Sequence, residues 1–243
     1  MIVHTQGIVL KTFDFRETSR IATFFTKSHG KVSGVLKGVR KDARKFGSSV
    51  DRFSVNDIVY YEYSRSDLHL VSQCDLLQFY FAIRKDYKRN VAAHYMLELV
   101  DTIVPAHYPN KKIYRLMLDY LEGLDSVKDI DKLVHIFQIK ILSLSGFRPH
   151  IDACVKCQKV LEERSRFSLK SGGLICSRCP TSETNFMMIS KGTIASTLHI
   201  EKNNWSESLR LGLTLNARKE LKYILNNFLV YHLGRKIRAA KYL

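Results

Sequence analysis

Short apolar runs separated by polar turns fill the first third of the chain, and this pattern is typical of β-strands. The runs are Ile8–Leu10, Arg20–Thr26, Val32–Leu36, Asp57–Tyr63 and Leu68–Cys74. The last two are predicted to form a hairpin across a short polar turn. No helical pattern separates the first three. A small barrel suits such a set, because closure removes exposed strand edges, and the five-stranded OB barrel is a common solution.

Beyond residue 79 the apolar residues recur at helical spacing. Three helices joined by short loops are predicted, over Arg84–Val104, Lys111–Glu122 and Asp131–Ser145. The residues predicted to stop them are, in order, Pro105, Gly123 and Gly146.

The last sixty residues also carry helical patterns. Ser190 is predicted to be the N-cap of a short helix that ends at His199. Asn216 is predicted to cap a long helix that continues through Ile237. Between these helices and the earlier three lies the part of the chain that holds most of the cysteines.

Four of the five cysteines form two pairs with the same internal spacing. Cys154 and Cys157 make the first CxxC motif, and Cys176 and Cys179 make the second. Two residues between cysteines allow one tight turn to direct both thiolates at one ion, and two such turns complete a tetrahedron. Four protein ligands leave no position open for water or substrate. We therefore predict one structural Zn²⁺ held by these four residues.

Paired cysteines also occur in three other kinds of site. Disulfides are disfavoured, because the sequence predicts no secretory signal and intracellular thiols stay reduced. A thioredoxin-like pair would need a neighbouring βαβ unit, whereas these motifs follow a helix. Iron–sulfur clusters more often use other spacings. The remaining cysteine, Cys74, lies at a strand end and is predicted to be a small buried apolar residue.

These patterns divide the chain into four predicted segments of an α+β multidomain fold. Residues 1–78 form an OB-type β-barrel of five strands, and residues 79–149 form an α-helical domain. Residues 150–183 form a small four-cysteine zinc module inserted before the C-terminal helices. Residues 184–243 supply those helices, which are predicted to pack on the helical domain.

The charge of the chain indicates the class of partner. Thirty-nine Lys and Arg against 23 Asp and Glu give a formal net charge of +16. A field of that sign attracts nucleic acid, an anionic membrane or acidic proteins, and a merely soluble basic protein is the alternative. A membrane is disfavoured, because the apolar runs are too short to span it and no basic amphipathic helix has an aromatic face. We expect a cytoplasmic protein.

Basic residues are concentrated around the loop that is predicted to leave the third strand. A positive loop flanked by glycines can follow a phosphate backbone, and a solvated loop is the alternative. The candidate DNA-binding residues are Lys31, Lys37, Arg40, Lys41, Arg44 and Lys45. A second basic group, explained equally well by the preference of helix C-termini for cations, comprises Arg235, Lys236, Arg238 and Lys241.

The common signatures of catalysis do not occur in the sequence. It contains no GxxxxGK[ST] phosphate loop, no GxGxxG, no GxSxG and no HExxH motif. Its acidic residues do not cluster as the metal ligands of a nuclease would. We therefore expect a binding protein and not an enzyme.

Several stretches of the sequence resemble RecO, a family of bacterial recombination mediators. They are Gly7–Lys11, Glu17–Ile21, Thr26–Lys31, Leu36–Lys41, Phe137–Pro149 running into Cys154–Cys157, and His232–Arg238. The resemblance covers essentially the whole chain. One departure is Gln158, because the family pattern leads us to expect glycine after the second cysteine. Glutamine makes the first turn of the metal site less favourable.

The resemblance implies a DNA repair function. It implies an OB fold, a helical domain and a zinc module that together bind single- and double-stranded DNA and anneal complementary strands. Such a protein helps RecA to replace the single-strand-binding protein SSB, in the cytoplasm and associated with the nucleoid. The implied partners are RecR and the acidic C-terminal tail of SSB, for which Arg84, Lys88 and Arg115 are candidate contacts.

A second function class remains open at this point. A zinc-ribbon protein that binds RNA or takes part in transcription would share the same charge and cysteine pattern. OB folds bind RNA as readily as DNA, so the barrel does not distinguish the two.

Overall fold

A computed structural model describes residues 1–41, 46, 50–161, 164–183 and 186–243. These residues form two compact units, Met1–Ser126 and Val127–Leu243. The four finer segments expected from the sequence remain a prediction. Within the described part of the chain, every helix is too short or too polar to cross a membrane.

The first unit begins with a closed barrel of five strands in the order β1-β2-β3-β5-β4. Its strands are β1 (Ile2–Phe15), β2 (Ser19–Thr26), β3 (Gly30–Leu36), β4 (Val55–Tyr61) and β5 (Leu68–Gln78). Antiparallel pairing of β1 with β4 and parallel pairing of β3 with β5 close the barrel. The remaining neighbouring strands pair antiparallel. The predicted OB-type barrel and the β4–β5 hairpin are confirmed.

Strand β3 buries alternate residues in the barrel core, as the period of two requires, whereas β2 is buried along almost its whole length. Gly34 on β3 lies where the barrel closes, and a Cβ atom there would stand 2.5 Å from Val71 Cγ2 on β5. Any side chain at this position would push the closing strands apart. Cys74 is only 4% exposed and belongs to the same core, so its prediction as a buried apolar residue is confirmed.

Three helices complete the first unit: α1 (Phe81–Lys85), α2 (Tyr87–Ile103) and α3 (Lys111–Ser126). The predicted single helix Arg84–Val104 is wrong at its start, because Asp86 is extended and its side chain caps α2 by accepting from the Arg89 N–H. The predicted stop at Gly123 is also wrong. Gly123 is buried inside α3, where tertiary packing outweighs the low helix propensity of glycine.

The second unit combines helices with a small sheet. Its elements are α4 (Ile130–Leu144), β6 (Arg164–Ser168), β7 (Gly173–Ile175), β8 (Met187–Ser190), α5 (Lys191–Lys202), α6 (Trp205–Arg210), α7 (Leu215–Leu233) and a 3₁₀ helix (Arg238–Tyr242). The sheet has the order β7-β6-β8. Neither β8 nor α6 was expected from the sequence.

The capping residues of the second unit test the expected helix ends. Ser190 caps α5 by accepting from the Thr193 N–H, as predicted. The cap of α7 is Thr214 and not Asn216, because the Thr214 side chain accepts from the Ala217 N–H. The same helix ends at Gly234, which adopts a left-handed φ of 65°, and does not continue to Ile237.

Asp129 links two helices of the second unit. It caps α4 by accepting from the Lys132 N–H, and it receives two hydrogen bonds from the Arg218 guanidinium of α7, at 2.7 and 2.6 Å. The hydrogen bond from Arg218 is the main reason that the pKa of Asp129 is lowered to about 2. The carboxylate therefore stabilises the folded state above pH 4, and this contribution is lost as the pH falls toward 2.

We expect Asp129→Asn to lower the free energy of unfolding of this unit at pH 7 by about 1–2 kcal/mol, allowing for solvent at this partly exposed pair. Asparagine keeps one oxygen for the cap, but it loses the charge and the second oxygen that accepts from Arg218. Urea unfolding followed by the fluorescence of Trp205, the one tryptophan of the sequence, measures the effect. Asp131→Asn is the matched control, and an equal loss in both variants would contradict the assignment.

Candidate metal centre and nucleic-acid interface

The structure brings the four predicted metal ligands together. The sulfur atoms of Cys154, Cys157, Cys176 and Cys179 all lie within 4.8 Å of one another. The pairs Cys154–Cys179 and Cys157–Cys176 are each separated by 3.8 Å. A tetrahedral ion with Zn–S bonds of about 2.3 Å requires sulfur–sulfur distances of about 3.8 Å. The cluster therefore fits one tetrahedral ion, and zinc is the identity that we predict.

The pKa values of Cys154 and Cys179 also favour a cation at this cluster. Burial raises the pKa of Cys154, but backbone N–H groups outweigh it and hold that pKa at about 6; the N–H of Cys176 lies 3.4 Å from the sulfur. The sulfur atoms of Cys176 and Cys157 raise the pKa of Cys179 to about 12. Four thiolates at this spacing repel one another, and a divalent ion removes that repulsion.

Both CxxC turns are anchored to the small sheet. The Val155 N–H donates to the Leu174 carbonyl of β7 at 2.8 Å, which holds the first turn against that strand. Gly172 has a φ of 67° in the turn between β6 and β7, a conformation that glycine adopts without strain. The hairpin thus carries the second cysteine pair to the first.

Arg166 on β6 supports the second CxxC turn, and the sequence reasoning had not singled it out. Its Nη2 atom donates to the carbonyls of Cys176 at 2.7 Å, Ser177 at 3.2 Å and Cys179 at 3.0 Å. The guanidinium also lies 5.2 Å from the centre of the Phe186 ring. A fixed positive charge at this place favours a cluster of thiolates. No motif marks such a residue in the sequence.

Gln158 occupies the position where the sequence led us to expect glycine. Its φ is 60°, in the left-handed region, and its N–H donates to the Cys154 carbonyl at 2.9 Å to close the first turn. A residue with a Cβ atom pays about 1 kcal/mol or more for this conformation, and glycine does not.

We expect Gln158→Gly to raise the zinc affinity a few-fold, which corresponds to about 1 kcal/mol or less once the extra unfolded-state freedom of glycine is included. Competition with a chromophoric chelator measures the affinity. Lys159→Gly is the control, since Lys159 has no left-handed φ to relieve. A gain in the control as large as in Gln158→Gly would show that the strain at Gln158 is unimportant.

Three of the candidate DNA-binding residues of the barrel loop lie at its described edge. Lys37, Arg40 and Lys41 are exposed, while Arg44 and Lys45 lie outside the described residues. Arg40 is held in place, because its N–H donates to the Thr18 carbonyl and its guanidinium lies 3.6 Å from Asp14. The described cations thus present positive charge next to the turn between β1 and β2.

Lys31 occupies a different environment from the other candidates. Its side chain is 14% exposed, and its ammonium group donates to the Asp101 carbonyl of α2 at 2.9 Å and lies 3.5 Å from the Asp101 carboxylate. This lysine therefore joins the barrel to α2. A phosphate would have to compete with Asp101 for it.

The three candidate contacts of the SSB tail lie on α1, α2 and α3. Arg84 pairs with Asp51 at 3.2 Å, and Arg115 pairs with Asp119 at 2.8 Å. Lys88 is exposed near the start of α2. Arg84 and Arg115 thus have acidic neighbours within the chain.

Positive charge is unevenly divided between the two units. Val127–Leu243 has 20 Lys and Arg against 9 Asp and Glu, a net charge of +11, whereas Met1–Ser126 has 19 against 14, a net +5. The cations Arg235, Lys236, Arg238 and Lys241 follow the end of α7. The prediction that they lie on the long helix α7 is wrong, because Gly234 terminates that helix, and Arg238 and Lys241 lie in the 3₁₀ helix that follows.

Two family models together match nearly the whole chain. The model described as "Recombination protein O N terminal" matches residues 1–80, and "Recombination protein O C terminal" matches residues 84–241.

Similar curated proteins match the chain over its full length. A protein of Moorella thermoacetica named "DNA repair protein RecO" is 29% identical over 100% of this chain and 90% of its own. A protein of Anaeromyxobacter sp. (strain K) with the same name is 30% identical over 99% of this chain and 95% of its own. These names denote a DNA repair role and indicate no enzymatic activity. On these matches, and with the barrel and the four-cysteine cluster in place, the chain belongs to the RecO family of DNA repair proteins.

Proposed function

We propose that this chain is a DNA-binding recombination mediator. It binds single- and double-stranded DNA, anneals complementary strands, and helps to load RecA onto single-stranded DNA that SSB covers. Membership of the RecO family over the whole chain is the observation that carries the proposal. It acts in the cytoplasm, in association with the nucleoid.

The charges and the barrel support this function. A net charge of +16 neutralises phosphates and releases their counterions, which is the main source of non-specific affinity for DNA. Both units carry excess positive charge, so each can approach a separate strand. Two strands held near one protein lose part of their mutual repulsion, and this favours annealing.

Three protein partners follow from the family. RecR and RecA take part in the loading step, and the acidic C-terminal tail of SSB recruits the protein to covered DNA. We assign the tail to the helices after the barrel, where Arg84, Lys88 and Arg115 are the candidate contacts. Alanine substitution of each of the three in turn tests this assignment. A tail peptide that does not bind at low salt would remove this assignment.

Annealing of complementary DNA strands that SSB has coated tests the function directly. We expect the protein to speed duplex formation well above the rate with SSB alone. An SSB that lacks its acidic tail is the matched control, and the stimulation should fall with it. No stimulation in either case would overturn the mediator proposal.

A zinc-ribbon protein that binds RNA is the second candidate, because the barrel and the cysteine cluster suit it as well. Competition between DNA and RNA single strands of matched sequence separates the two. Preference for RNA, together with a failure to anneal SSB-coated DNA, would favour the alternative.

A further inference from the structure

A cleft of about 500 Å³ opens on the first unit, beside β1 and β2 of the barrel and the first half of α2. Its lining includes Phe13, Arg20, Arg52, Arg84 and His94. Pockets of roughly 300–1,000 Å³ hold ligands of small-molecule size, so the cleft can admit one nucleotide but not a duplex.

Phe13 offers an exposed aromatic face at this cleft. It lies on β1 opposite Ile21 of β2, and its side chain is 51% exposed. An apolar ring of this size on a strand normally packs into a core. An exposed ring beside three arginines instead suits the stacking of a base.

The arginines of the cleft outnumber its acids. Arg20 pairs with Asp14 at 3.1 Å, and Arg84 pairs with Asp51 at 3.2 Å. Arg52 faces a histidine, because its Nη1 atom lies 3.1 Å from His94 Nε2. The described lining thus holds three arginines and two aspartates, which leaves one positive charge in excess for an anion.

The contact between Arg52 and His94 is defined by the chemistry of the two groups. A guanidinium can only donate, so His94 Nε2 accepts and the ring proton lies on Nδ1, which donates to the Asn90 carbonyl at 3.0 Å. Burial, and then the charge of Arg52, lowers the pKa of His94 and favours this neutral ring. His94 therefore orients Arg52 without neutralising it.

Phe53 holds the segment that carries Arg52. It is 4% exposed, meets the His94 ring edge-on at 4.8 Å, and has a φ of 70° in the left-handed region. A bulky residue adopts that conformation only where the surroundings impose it, and such strain clusters at binding sites. The buried ring thus anchors the loop with the neighbouring Arg52 at the cleft.

We propose that this cleft holds one unstacked nucleotide of single-stranded DNA, with its base against Phe13 and its phosphate on Arg52 and Arg20. The proposal rests on the DNA-binding function proposed above and adds a specific subsite to it. Arg40, at the described edge of the barrel loop, lies 3.6 Å from Asp14 of the cleft lining, so positive charge of that loop adjoins the cleft.

The test compares two oligonucleotides of equal charge, a short deoxythymidine strand and an abasic strand of the same length. Phe13→Ala should weaken binding of the thymidine strand about 5- to 100-fold and leave the abasic strand unchanged, because only bases stack. Phe13→Tyr should restore binding. Arg52→Gln should weaken both strands alike. Phe81→Ala, at a phenylalanine that is 66% exposed but outside the cleft lining, is the control.

Three results would overturn the subsite. Phe13→Ala could bind both strands as the unchanged protein does, or it could lose affinity for both strands equally. Alternatively, Phe13→Ala could lose binding of an acidic peptide with an aromatic end while keeping thymidine binding, which would make the cleft a peptide site. If the unchanged protein binds neither strand, the DNA-binding function fails together with the subsite.

Discussion

Elemental analysis of the purified protein is expected to find one zinc ion per chain, and Cys176→Ser is expected to lose it. Such an ion would join two turns that are far apart in sequence, and the apparent binding free energy of structural zinc is on the order of 10 kcal/mol. Loss of one ligand should therefore unfold β6, β7 and the two CxxC turns. The barrel lies in the other compact unit and should stay folded. Amide hydrogen exchange, resolved by segment, measures both effects.

Cys74→Ser is the matched control for the zinc experiment. Cys74 is the fifth cysteine and is buried in the barrel core, far along the chain from the cluster. This variant should keep one zinc per chain and weaken the barrel, because a hydroxyl replaces an apolar atom in the core. A protein purified without chelator that holds clearly less than one zinc would contradict the metal assignment.

Arg40→Ala combined with Lys41→Ala is expected to weaken binding to all DNA sequences alike. Both side chains are exposed at the described edge of the barrel loop, and cations there neutralise phosphates without reading bases. The logarithm of affinity falls linearly with the logarithm of salt, by about 0.7 per phosphate contact on single strands and about 0.9 on duplex. The double variant should flatten that slope by roughly one to two units.

Lys236→Ala combined with Arg238→Ala is the comparison for this experiment. Lys236 and Arg238 follow the end of α7. Their substitution removes the same number of positive charges, but from the other compact unit. Titrations of both double variants over a range of salt concentrations measure the slopes. If the C-terminal pair flattens the slope and the loop pair does not, the DNA path runs over the C-terminal segment and the barrel loop is not the principal site.

Much of the fold could be predicted because local patterns are strong where one face of an element is buried. The short apolar runs between Ile8 and Cys74, separated by polar turns, indicated a five-stranded barrel, and the paired CxxC motifs indicated the cluster before any geometry was known. Helix ends were less predictable. Both Thr214 and Asn216 are good caps by residue type, and the chain path into α7 selects Thr214.

Side-chain environments depend on residues that are distant in sequence. Lys31 belongs by position to the basic loop, yet Asp101, seventy residues later, holds its ammonium group. Arg166 supports the second CxxC turn only because β6 places it beside the carbonyls of Cys176 and Cys179. Local spacing contains no information about such partners.

By itself, the sequence determined the barrel class, the four-cysteine cluster and the positive charge, because each depends on residue type at short spacing. Only the tertiary structure decided which cations stay exposed and which have acidic neighbours. It also brought Phe13, Arg52 and His94 to one cleft from three separate parts of the chain. The positions of these side chains depend on packing between segments that are far apart in the sequence. Neighbouring residues in the sequence do not determine them.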